Sequence, residues 1–163
     1  LRLPRAVVGV RPSAEKLVGD EELAAFDRMA APLSTSEVTA RLFGATPLHQ
    51  REPRDHADIV ERYGTLLTNA LNRKAFRGEG DSLAEDLRAL AERLGGFGAG
   101  PREVTEVHAQ ALRKAVRGTT AAKTQALLSE GRLLALELMG DLTTYYRRRY
   151  RGAQAVGNGK PQV

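Results

Sequence analysis

The chain has 163 residues, 42% of them apolar and 28% charged, with a net charge of +5 and no cysteine. That is the make-up of a soluble globular chain long enough to bury a core without covalent staples. The missing cysteine excludes disulfides, thiolate zinc sites, iron–sulfur clusters and thiol nucleophiles, and leaves any metal to His49, His56 and His108.

The longest uncharged apolar run near the start, Ala6 to Val10, falls far short of the roughly 20 residues a bilayer requires. No signal peptide or membrane span is therefore expected, and a cytoplasmic location is the default. A first residue of Leu1 is what a piece of a longer chain would show. Arginines cluster at Arg147, Arg148, Arg149 and Arg151, so the basic excess is local to the C-terminal end.

Leu1 to Gly19 holds Pro4, Pro12 and an Ala-Val-Val-Gly-Val run, which allows one strand at most and reads as a linker. Asp20 to Ala31 is predicted helical, with Leu23, Phe26 and Met29 at three-residue spacing, acids in the first turn and Pro32 as its stop. Ser34 and Glu37 form a capping box for a short helix through Val38, Leu42 and Phe43, ended by Gly44 and Pro47. Thr46 to Arg54 is the expected boundary before the main domain.

From there the pattern is helical almost without a break. A first long helix is predicted over Asp55–Phe76, using Ile59, Tyr63, Leu66, Leu67, Ala70 and Leu71. Ser82 and Glu85 cap a second, whose apolar face is Leu83, Leu87, Leu90 and Leu94. A glycine-rich connector ends at Gly100. Pro101 then opens a third helix with the stripe Val104, Val107, His108, Ala111, Leu112 and Ala115, ending near Gly118.

Thr119 is the expected cap of the last helix, which should reach about Arg149, a rod of about 45 Å at about 1.5 Å per residue. At 100° per residue, Leu127, Leu134 and Leu138 share one direction while Leu133 and Leu136 point elsewhere, so a second burial surface is needed. A subunit partner would supply it. Leu127, Leu134, Leu138, Met139 and Leu142 are accordingly expected at a homodimer interface. The division is thus an N-terminal extension or linker over 1–53, a helical bundle over 54–151 and a disordered tail over 152–163.

Catalytic chemistry is hard to find. His56 and Asp58 are two residues apart and so face different ways on a helix, and no histidine has a second one a turn away, so no metal site is expected. The run from Gly95 to Gly100 precedes a helix but follows no strand, and Pro101 and Glu103 stand where a phosphate loop has lysine and a hydroxyl. It reads as a helix-to-helix turn. His108 on an apolar stripe reads as a hydrogen-bonded core or interface histidine. No cofactor is expected, and enzyme activity is disfavoured.

Nucleic-acid binding has two candidate elements. Ser34 to Gly44 resembles the first helix and turn of a helix-turn-helix, but the following segment is broken by Pro47 and Pro53. The run Tyr145 to Arg151 interleaves aromatic and basic groups and suits a phosphate backbone or an acidic peptide. Its plainer reading is arginines at a helix C-terminus with tyrosines completing the core. A DNA-associated regulator using 34–44 or the arginine end is the alternative function.

The order of a tyrosine-bearing first helix (Glu61, Arg62, Tyr63), a connector helix, the step Glu106-Val107-His108, and a last helix framed by Arg132 and Tyr146-Arg147 resembles the KaiA C-terminal domain and the related RsbU N-terminal domain, over residues about 56–151. The resemblance implies a dimerising four-helix bundle with no catalytic residues, regulating a kinase or phosphatase system through a protein partner such as a kinase, a switch protein or an acidic peptide. The residues themselves place partner binding on a polar rim beside the dimer seam, at Glu106, His108, Arg132, Tyr145, Tyr146, Arg147 and Arg148, where forked guanidinium donors meet tyrosine platforms.

Overall fold

A computed structural model describes residues 14–31, 46–76 and 81–157. Among these every regular element is a helix: α1 (Ala14–Ala30), α2 (Leu48–Arg51), α3 (Pro53–Phe76), α4 (Asp81–Gly96), α5 (Pro101–Val116) and α6 (Ala121–Gly157). The helix expected at Ser34 to Gly44 lies outside the described residues.

Helices α3 to α6 share one core, and each contributes the apolar stripe its sequence displays. Ile59, Tyr63 and Leu67 of α3, Leu87 and Leu94 of α4, Val104, Val107 and Leu112 of α5, and Leu128 and Leu138 of α6 are all fully buried. Helix α6 packs along α4 and α5, α3 packs along α5 and α4, and α3 also meets α6, so α4 and α5 occupy opposite corners.

Local chemistry fixes the helix ends. Glu103 reaches back to accept the Gly100 amide at 2.8 Å, while Pro101 takes the first helical position, where its missing N–H costs nothing. At α6 the capping hydroxyl belongs to Thr120, which accepts the Lys123 amide at 3.3 Å. Thr119, the expected cap, instead donates back to the Val116 carbonyl at 2.8 Å and bonds the Thr124 hydroxyl. Between α5 and α6, Gly118 adopts a φ of 71°, the left-handed region that glycine enters without strain.

Three boundaries differ from expectation. Helix α1 starts at Ala14, inside the segment read as extended, and it packs against α5 and α6 rather than standing apart as a linker. The proline-bounded stretch after Thr46 contains α2, whose Leu48 is fully buried; Arg51 donates to the Thr46 carbonyl at 2.9 Å and the Phe97 carbonyl at 3.1 Å, tying this turn to the end of α4. Helix α6 runs to Gly157, past the Gly152 at which a disordered tail was expected to begin. No helix among the described residues is long and apolar enough to cross a membrane.

Candidate functional site

The residues singled out from the sequence fall into five separate places. Leu127, Leu134, Leu138 and Leu142 are buried within the single chain, and Met139 packs against the same core. They are therefore not a surface seam: α3, α4 and α5 already cover the direction they share. The large aliphatic side chains that α6 leaves in solvent are Leu133, 60% exposed, and Leu136, 67% exposed. Their divergence from the inward set was visible in the sequence, but which set faced outward depends on where the other helices dock.

His108 lies deep inside. The Tyr63 hydroxyl sits 2.9 Å from its Nδ1 and 3.4 Å from the Gly131 carbonyl. The other ring nitrogen, Nε2, is buried with no hydrogen-bond partner. Phe26 of α1 lies edge-on to the ring, centroids 4.5 Å apart. Burial pushes the His108 pKa down to about 4, against the opposing pull of Glu22, and burial likewise raises that of Tyr63. His108 is thus a core histidine, not a rim group.

Arg132, at the surface above it, is bound by both carboxylate oxygens of Glu22 on α1, which raises the arginine's pKa further. A second arginine, Arg113 of α5, pairs with Asp27 of α1. Nothing in the sequence paired these residues, because the partners are brought together only by docking of α1.

Glu106 faces the other way, toward α2 and α3. Its Oε1 is 2.7 Å from His49 Nδ1 and 3.8 Å from His56 Nε2, and neither nitrogen has hydrogen-bond geometry. Burial lowers the His56 pKa, opposed by Glu106 and reinforced by His49 and Lys114. Among the described residues, no group of three or more His, Asp or Glu is placed to hold a metal ion.

The remaining predicted residues meet on the C-terminal half of α6. Pro101, Met139, Leu142, Tyr146, Arg147 and Tyr150 line an open groove of about 430 Å³. The Tyr146 hydroxyl donates to the Ala99 carbonyl at 2.8 Å, holding its ring against the start of α5; burial, then Tyr145 and Glu103, raise its pKa. Tyr145 packs edge-on to Tyr146 at 5.3 Å and lies against Gly95, where an added Cβ would stand 2.2 Å from its ring. From Tyr146 to Ala153 every residue is exposed, Arg148 among them.

Among the described residues the arrangement is all-helical, with a groove, an internally paired N-terminal helix and no assembled nucleophile or metal set. Comparison with protein-family models, curated proteins and solved structures gives no match.

Proposed function

We propose that this chain is a non-catalytic protein-interaction domain that docks an acidic peptide bearing one apolar anchor, acting as a homodimer in the regulation of a kinase or phosphatase system. The kinase or phosphatase setting and the cytoplasmic location rest on the resemblance to KaiA C-terminal and RsbU N-terminal domains. The groove at the end of α6 carries the reading. Its floor is aliphatic and aromatic, its rim holds Arg147, and three further arginines follow at Arg148, Arg149 and Arg151 with no acid between them. Tyrosine and arginine at the edge of a desolvated pocket are the residue types that dominate peptide recognition, and the local charge selects acidic ligands. Exposed Leu133 and Leu136 supply the surface on which a second copy would seat.

The test is fluorescence anisotropy with a labelled Glu-rich peptide carrying a single central Phe. Saturable binding that weakens about tenfold, or about 1.4 kcal/mol, in Tyr146→Ala and again in Arg147→Glu supports the reading. Absence of binding at low salt overturns it. The DNA alternative draws on the same exposed arginines, but at 100° per residue Arg147, Arg148, Arg149 and Arg151 point around the rod instead of forming one stripe. Duplex binding that falls steeply with salt would favour that alternative.

A further inference from the structure

The turn between α4 and α5 anchors the tyrosine groove, and side chains from two other helices hold its backbone. Gly98, at a φ of 71°, reverses the chain there. Its amide donates to the Gly95 carbonyl at 3.0 Å and the Ala99 amide to the Leu94 carbonyl at 3.0 Å, the paired bonds that close a helix C-terminus. Two carbonyls of the turn are taken up from outside: that of Phe97 by Arg51 of α2 at 3.1 Å, and that of Ala99 by Tyr146 of α6 at 2.8 Å. The Arg51 guanidinium is itself fixed, because its Nε donates to the Thr46 carbonyl at 2.9 Å while Nη2 reaches Phe97. Leu48, fully buried, seats the helix that carries it. Arg51 also stands close enough to Tyr146 for its charge to favour the phenolate, against the burial, Tyr145 and Glu103 that raise the phenol's pKa.

We propose that Arg51 is a positioning residue of the tyrosine groove: by gripping the Phe97 carbonyl it holds the turn where the Ala99 carbonyl meets the Tyr146 hydroxyl, so that α2 controls whether the groove is formed. This inference rests on the interaction-domain reading and adds a control element to its peptide site. The planar fork of arginine can donate to two carbonyls at once in fixed directions, which a lysine ammonium on its flexible stem cannot. Tyr146 depends on that support, since it is 38% exposed and its hydroxyl bond is what aims its ring across to the start of α5. Arg51 is not among the residues that line the groove, so its effect on a bound peptide passes through Tyr146. Helix α2 is a separate turn of four residues between Pro47 and Pro53, and displacing it releases the Phe97–Ala99 turn and the ring together.

The experiment follows the full chain by NMR of tyrosine isotope-labelled at Cζ, with Tyr146 assigned by its absence in Tyr146→Phe, and by anisotropy with the labelled Glu-rich peptide carrying one Phe. Without peptide, Arg51→Gln and Arg51→Lys should both move the Tyr146 resonance toward that of Tyr150, a tyrosine 66% exposed. A Tyr146 resonance unchanged in Arg51→Gln overturns the proposal. One that moves in Arg51→Gln but stays native in Arg51→Lys also overturns it, by reducing Arg51 to a charge. Arg51→Gln should weaken peptide binding about tenfold in the native background and less than about twofold in Tyr146→Phe. Equal losses in the two backgrounds overturn the positioning role. Absence of peptide binding to the native chain removes the peptide reading alone, and the Tyr146 resonance then decides for or against the coupling to Arg51.

Discussion

Tyr63 and His108 meet inside the core, hydroxyl to Nδ1 at 2.9 Å, linking α3 to α5 at the point where α6 passes with Gly131. A phenol hydrogen-bonded to an imidazole in a dry interior fixes the ring's orientation, and each group is expensive to leave alone. Removing the hydroxyl with Tyr63→Phe strands the second ring nitrogen as well. The expected loss is about 1–3 kcal/mol of stability, read by urea denaturation, with the slope of the transition unchanged.

Stability should fall with acid because of the same histidine. Its folded pKa is about 4 against an ordinary 6.5, so at pH above 6.5 both folded and unfolded chains hold it neutral. As pH drops from 6.5 toward about 4, the unfolded chain takes a proton that the folded chain refuses. The contribution is therefore present at neutral pH and lost on acidification, at up to about 1.4 kcal/mol per pH unit. His56, also lowered by burial, adds a slope of the same sign. Denaturation curves of His108→Gln across that window should be flatter than those of the native chain by the His108 share; equal slopes would refute the assignment.

Glycine tolerance should differ sharply along α6. A Cβ on Gly131 would stand 2.8 Å from His108 Cε1 and 3.4 Å from Leu67 Cδ1, and neither buried neighbour has room to retreat. At Gly140 an added Cβ meets nothing within 4 Å. Gly140→Ala should stabilise by about 0.5–1 kcal/mol through helix propensity. Gly131→Ala should destabilise despite the same gain, since overpacking costs about 1–3 kcal/mol. Thermal melts of the two variants, shifting in opposite directions, are the check.

The leucines of α6 separate folding from association. Leu138→Ala opens a cavity in the chain's own core and should cost about 2–5 kcal/mol at any protein concentration. Leu133→Ser with Leu136→Ser removes only exposed apolar surface and should leave monomer stability within about 0.5 kcal/mol per site. Sedimentation equilibrium should show the native chain at twice its 17.7 kDa mass and the double variant at the monomer mass. A native monomer at micromolar concentration removes the dimer from the proposed function.

Much of the architecture was legible in the order of residues. The all-helical class, the stops at Phe76 and near Gly96, and the start at Pro101 follow from apolar spacing, capping residues and glycine, all of which act within a few positions of the chain. The buried stripes of α3, α4 and α5 were likewise given by helical periodicity. Even the aromatic and arginine content of the groove could be read from Tyr145 to Arg151, because those residues are neighbours on one helix.

What faced what could not be read. An amphipathic pattern says that a stripe must be covered and is silent on whether the cover is the same chain or another, so Leu127, Leu134, Leu138 and Leu142 pointed to a dimer until α3, α4 and α5 were seen to fill their side. The ion pairs of Glu22 with Arg132 and Asp27 with Arg113, the paired histidines at Glu106 and the orphaned Nε2 of His108 join residues that are far apart in the chain. Such contacts depend on the angles and offsets at which helices pack, which many side chains set jointly and no local spacing records.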